Sequence, residues 1–297
     1  MRWLLCLLCV ASFVVHPEQA RACSVCATAD PTLTVSGSEL PYRGRLHLSA
    51  DARIGDVRVG TPGIDEIVLT DRRFELGATY GPVPDVLVSV LVPGLARHFV
   101  TARGNAFDRT SLGDVELALN GVLWRRADGR GRRRLGLFGG LKLPTAPIEA
   151  DEAGVPLASA LQPGCSSVVS VGGVYYAAGR GLFSVYASGL VFLPIPVRDG
   201  PHAGDSLRTT TSVQLQPTPR FASRLGVSTR LETPGELAPD RADPNSGGFV
   251  GYVTSELVMS PATDVVITLG GSFPVVQALN GSHHEGAVAS ATAGFDF

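Results

Sequence analysis

Charged and apolar side chains in this sequence keep to opposite parities over long stretches, and that alternation limits the possible folds most. Leu46, Leu48, Ala50 and Ala52 interleave with Arg45, His47, Ser49 and Asp51; Phe74, Leu76, Ala78 and Tyr80 interleave with Arg73, Glu75, Gly77 and Thr79. Val115, Leu117, Leu119 and Leu123 oppose Asp114, Glu116, Asn120 and Trp124, and Leu225, Val227, Thr229 and Leu231 oppose Arg224, Ser228, Arg230 and Glu232. A period of two marks a strand with two chemically different faces. No stretch of convincing length carries helical periodicity.

The pattern predicts about twelve strands, each near the roughly 9–11 residues that a tilted strand needs to cross a bilayer. Their approximate spans are 44–53, 72–81, 86–95, 112–125, 134–144, 166–177, 182–193, 205–216, 220–232, 248–259, 264–274 and 286–297. Short connections (81–85, 126–133, 178–181, 217–219, 260–263) alternate with long ones (54–71, 96–111, 145–165, 194–204, 233–247, 275–285). Outer-membrane barrels sort their connections this way, with short periplasmic turns and long external loops.

Alternation alone also suits a soluble sandwich, which hides its apolar face and exposes its charges. A membrane barrel inverts that arrangement, because lipid leaves no backbone amide unsatisfied and a sheet must close to span it. Nearly all ionisable residues in the strands share one parity: Arg45, Asp51, Arg73, Glu75, Glu116, Lys142, Arg208, Arg224, Arg230, Glu256 and Asp296. One arginine on the lipid side at the midplane would cost roughly 2–4 kcal/mol, so the shared parity fits a wet interior. The expected fold is an all-β, antiparallel, up-and-down transmembrane β-barrel occupying 43–297.

Both ends support this reading. Arg2, the apolar run Trp3 to Val15, and Ala20-Arg21-Ala22 form a secretory leader over 1–22. The last strand ends on Phe297, resembling the terminal signal read by the barrel-insertion machinery. The segment 23–42 is expected to lie in the periplasm or fold inward as a plug. Cleavage of the leader leaves Cys23, Cys26 and Cys165 in an oxidising compartment. Cys23 and Cys26 could close a small disulfide or, with less support, contribute to a metal site; no second cysteine pair or spaced histidine cluster accompanies them.

Leu112-Gly113-Asp114-Val115, Gly140-Leu141-Lys142-Leu143-Pro144-Thr145, Leu161-Gln162-Pro163-Gly164 and the terminal strand occur in an order that resembles a known family. It is the group of outer-membrane transporters named for the MetA-pathway of phenol degradation, and the likeness spans roughly 40–297. Cys165-Ser166-Ser167 departs from the family pattern. The resemblance implies a porin-like protein of the Gram-negative outer membrane passing small solutes, hydrophobic ones included, without naming phenol as one of them.

The candidate lumen residues are Asp114, Glu116, Asn120, Lys142, Arg208, Arg224, Arg230 and Glu256. Charge clusters on a pore wall tune solute preference; the same groups could simply pair with one another. A net charge of -2 offers no attraction to nucleic acid. No nucleophile elbow, Walker loop or dinucleotide loop occurs, so neither an enzyme nor a cofactor is expected. His283 and His284 are placed in an external loop with no metal role. The alternatives are a non-conducting structural barrel and a hydrolase at the outer rim.

Overall fold

The alternating segments hydrogen-bond in chain order into one antiparallel ring. The computed structural model describes residues 44–129, 131–150, 154, 156–238 and 241–297. The leader 1–22, the segment 23–42 and the Cys23/Cys26 pair lie outside the described residues.

The strands are β1 (Leu46–Val59), β2 (Ile67–Val83), β3 (Val86–Thr101), β4 (Ala106–Leu112), β5 (Val115–Asp128), β6 (Gly131–Leu143), β7 (Ser167–Arg180) and β8 (Phe183–Pro196). They continue as β9 (Ser206–Thr218), β10 (Phe221–Glu232), β11 (Glu236–Ala238), β12 (Arg241–Ala242), β13 (Gly248–Ala262), β14 (Val265–Leu279) and β15 (His283–Asp296). β15 returns to β1 with Ala50 opposite Ala293, closing the ring. β11 and β12 pair as a small hairpin between β10 and β13, and Glu236 of β11 also bridges to His202. β4 and β5 both pair with β3, β4 along Gly94–Val100 and β5 along Val86–Leu91. They are one wall strand broken at Gly113-Asp114, which leaves twelve positions around the barrel.

The faces are inverted relative to a soluble protein. On β2, Phe74 and Leu76 are 50% and 54% exposed, whereas the alternating Arg73 and Glu75 are each 4% exposed. The predicted parity therefore places charges inside and apolar groups outside. Trp124 departs from it. The β5–β6 register shifts between Val122 and Trp124, so Trp124 lies opposite Leu135 and both are exposed. A bulge adds one residue to one strand and reverses the parity beyond it.

The short connections all lie at one end, at 84–85, 129–130, 181–182, 219–220 and 263–264. At the other end the breaks at 60–66, 102–105 and 280–282 are shorter than the loops expected at 54–71, 96–111 and 275–285. There the strands outrun their apolar belt. Beyond Ile54, Phe74, Ala96 and Leu112, the next outward residues are Asp56, Arg72, His98 and Thr110. Thr70 donates to Asp56 (2.7 Å) and the His98 ring pairs with Asp108 (2.8 Å) on this outer surface. The ladder continues into water after the lipid-matching pattern stops.

Candidate functional site

The interior is divided into a packed half and an open half. On the β2–β8 side, bulky inward residues meet: Leu91, Leu95, Phe138, Tyr175, Leu190 and Phe192 are all buried. The Tyr175 ring covers Gly136, its cross-strand neighbour, where any Cβ would overlap the ring. Charges in this half neutralise each other. Arg73 lies 2.6 Å from Glu75 and 3.5 Å from Glu116, and Lys142 lies 3.6 Å from Glu116.

From β9 through β15 to β1, the inward residues are smaller and mostly hydroxylated. Thr210, Ser228, Thr254, Thr268, Ser290 and Thr292 line a cavity of about 300 Å³ that reaches down to Gln216, Pro219 and Arg220 at the turn end. Arg208, Arg224, Arg230 and Glu256 line the same cavity, together with Asp51 and Arg53. Arg224 pairs with Glu256 (2.7 Å) and donates to Gln214 (3.0 Å). Arg53 meets Asp51 at 2.5 Å. Arg230 meets Glu232 at 2.6 Å and also contacts Glu285, which accepts from the Tyr252 hydroxyl.

At the loop end the chain folds back against the inner wall. Residues 144–150 and 156–166 turn inward, and Leu157, Ala160 and Leu161 pack against Val59, Leu69 and Phe99 from the strand extensions. A short 3-10 turn, Ser159–Leu161, sits wholly buried at this point. Arg97, inward on β3, donates to the carbonyls of Leu161 (2.8 Å) and Gln162 (3.0 Å) while pairing with Asp71 (3.1 Å). The Gln162 side chain accepts from the Glu149 backbone (2.8 Å) and donates to Leu157 O (2.8 Å). Asp243, from the loop carrying β11 and β12, accepts from Ser159 N (3.0 Å) and Oγ (2.7 Å).

Asp114 belongs to this loop rather than to the pore wall. Its carboxylate accepts from the backbone amides of Ala146 (3.0 Å) and Cys165 (2.7 Å), tying both ends of the inward segment to the β4–β5 break. Gly164 passes so close that a Cβ there would strike the Asp114 carboxylate and stand 2.6 Å from the Ala146 methyl. Burial pushes the Glu149 carboxyl above its ordinary range despite the nearby Arg97 and Arg109.

The predicted lumen residues thus separate into three sets. Glu116 and Lys142 meet in the packed half. Asn120 is buried there opposite Phe138, away from the cavity. Arg208, Arg224, Arg230 and Glu256 share the cavity, and Asp114 anchors the loop. His283 and His284 open β15 instead of lying in a loop; His283 points inward, 3.7 Å from Glu285, and His284 points outward. Sequence reading passed over Arg97, Glu149, Asp243, Tyr252 and Glu285. Arg97 carried a usable signal, since it shares the inward parity of Leu91 and Leu95. No group of three or more histidine, cysteine or acidic side chains among the described residues could hold a metal. The ring nitrogens of the described histidines have no serine partner; His98, His202 and His47 pair with Asp108, Glu236 and Asp296.

The sequence matches no family model and no curated protein. Its fold is shared with solved membrane barrels. A crystal structure of an outer membrane channel from Pseudomonas putida F1 superposes with a TM-score of 0.67 at 12% identity, covering 87% of this chain and 97% of that one. The translocator domain of the autotransporter NalP from Neisseria meningitidis gives a TM-score of 0.50 at 13% identity, covering 94% and 99%. The likeness is one of architecture. It agrees with the fold expected from the family resemblance.

Proposed function

We propose that this protein is a passive, porin-like channel for small solutes in the outer membrane of a Gram-negative bacterium. The observation that carries the reading is a closed barrel with a lipid-matched exterior and a hydroxyl-lined, charged cavity inside. Such an interior serves neither folding economy nor lipid contact, whereas a solute path needs it. The fold shared with an outer membrane channel supports the same reading, as does the resemblance to the phenol-degradation transporters. The terminal strand is the segment expected to engage the insertion machinery: the backbones of Phe297 and Leu46 exchange hydrogen bonds at 2.8 and 3.2 Å.

The docked parts of the β6–β7 connection, 144–150 and 156–166, favour a second reading, a structural barrel that stays shut. Reconstitution into planar bilayers separates the two. Discrete conductance steps from protein with heat-modifiable gel migration support the channel. Folded protein that passes no current under any voltage refutes it and leaves the structural barrel.

A further inference from the structure

We propose that Arg208 is the binding site for the carboxylate of a small organic anion inside the lumen; this names a solute class for the channel and rests on that reading. Arg208 is 7% exposed and lines the cavity, yet its Nε and Nη2 have no hydrogen-bond partner. Arg53, Arg73, Arg97, Arg224 and Arg230 each face a carboxylate. Among the described residues Arg208 faces none.

A guanidinium does not lose its proton in a protein, so its charge must be met some other way. Burying an uncompensated ion costs several kcal/mol, and Phe192 offers partial compensation, its ring centre 4.0 Å from the Arg208 Cζ. The unfilled atoms identify the missing partner. Nε–H and Nη2–H lie on one edge and point in parallel, a fork that fits the two oxygens of a carboxylate. Arg73 uses the same edge on Glu75 and Arg224 uses it on Gln214.

The surroundings restrict the ligand further. Arg230 is the cross-strand partner of Arg208, and its charge is already answered by Glu232 and Glu285. Beside Arg208 an arriving anion therefore meets one buried free fork, as a monocarboxylate requires, while Arg220 lies exposed at the turn end of the cavity. Phe192 backs the guanidinium from the packed half and leaves its free edge to the cavity. The cavity volume is at the lower end of ligand pockets, about 300–1,000 Å³, which suits a single-ring or shorter acid.

The test uses benzoate as probe, its neutral isostere benzamide as control, and full-length folded protein in detergent, with equilibrium binding read by calorimetry. Wild type is expected to bind benzoate in preference to benzamide. Arg208→Gln should weaken benzoate binding by about 10- to 100-fold, the loss of one charge-assisted pair of bonds. Arg125→Gln, which removes an exposed guanidinium outside the cavity, should change it far less. Should Arg208→Gln fail to fold, Arg208→Lys keeps the charge without the fork and should still weaken binding. No benzoate binding by wild type, equal binding by a folded Arg208 variant, or tighter binding of inorganic phosphate than of benzoate overturns the proposal. Benzoate binding without bilayer conductance leaves the site standing and refutes only the channel.

Discussion

Replacing Arg97 with methionine tests whether the inward loop is a docked element with its own equilibrium. The guanidinium holds the carbonyls of Leu161 and Gln162 at 2.8 and 3.0 Å, and its side chain is fully buried. A hydrogen bond to a charged group contributes about 1.5–3 kcal/mol, so the two bonds together stabilise docking by about 3–6 kcal/mol. Each 1.4 kcal/mol is a factor of ten, and the undocked fraction should rise by about 10² or more. Methionine refills part of the volume but leaves Asp71 without its cation, so an Arg97→Met/Asp71→Asn double variant isolates the loop contacts. Cys165 is a built-in reporter: the residue is 2% exposed and its backbone is bonded to Asp114 inside the docked segment. The assay is the rate at which a water-soluble maleimide labels Cys165, located by peptide mapping, in protein whose folding is verified by heat-modifiable migration. Labelling should accelerate in step with the undocked fraction, and bilayer recordings should show larger or longer openings. A folded double variant whose Cys165 reacts no faster than wild type would mean that Arg97 does not hold the loop.

Three further outcomes are expected. The Glu149 carboxyl is raised by burial, so its neutral form favours the docked loop; that contribution is complete below about pH 4.3 and is lost as pH rises through the raised value. Cys165 labelling, normalised to the unfolded chain, should therefore increase over that window, and Glu149→Gln should flatten the profile. Leu76→Arg places a charge in the apolar belt and should cost about 2–4 kcal/mol in urea-driven unfolding from lipid, whereas Val68→Arg, beyond Arg72 on the same strand face, should cost about 0–1 kcal/mol. Lys142→Met leaves Glu116 with Arg73 alone at 3.5 Å and should lower stability by about 1–3 kcal/mol while leaving ion preference unchanged, because neither group lines the cavity. A shift in reversal potential in that variant would return the packed half to the solute path.

The wall of the barrel was largely legible in the sequence, and the contents of its lumen were not. Alternation at Arg45–Ala52 and Arg73–Tyr80 is imposed by lipid on one side and water on the other, so a one-dimensional pattern records it. The strand extensions escaped because Asp56, Arg72 and His98 are outward residues in water, where a hydrogen-bonded ladder persists with no apolar parity to betray it. Trp124 has inward parity in the sequence but faces out, because a single extra residue at Leu123 reverses the faces without any mark in composition. Asp114 shares the parity of Glu116 and looks like a wall charge. Its role depends on Ala146 and Cys165, which meet it only after the chain has folded back from the far side of a loop. The inward loop itself carries no periodicity, and its short apolar contacts resemble those of an exposed connection.

The unequal filling of the interior gives the two halves different tolerance to change. Around the cavity the inward side chains are small hydroxylated ones such as Thr210, Ser228 and Ser290, so enlarging one of them would narrow the bore while sparing the wall's hydrogen-bonded ladder. In the opposite half the same enlargement would collide with Phe138, Leu190 or the ring over Gly136 and strain the barrel. Lineages carrying this scaffold can therefore adjust the size of what passes by drifting along one flank, with the other flank held constant as the frame.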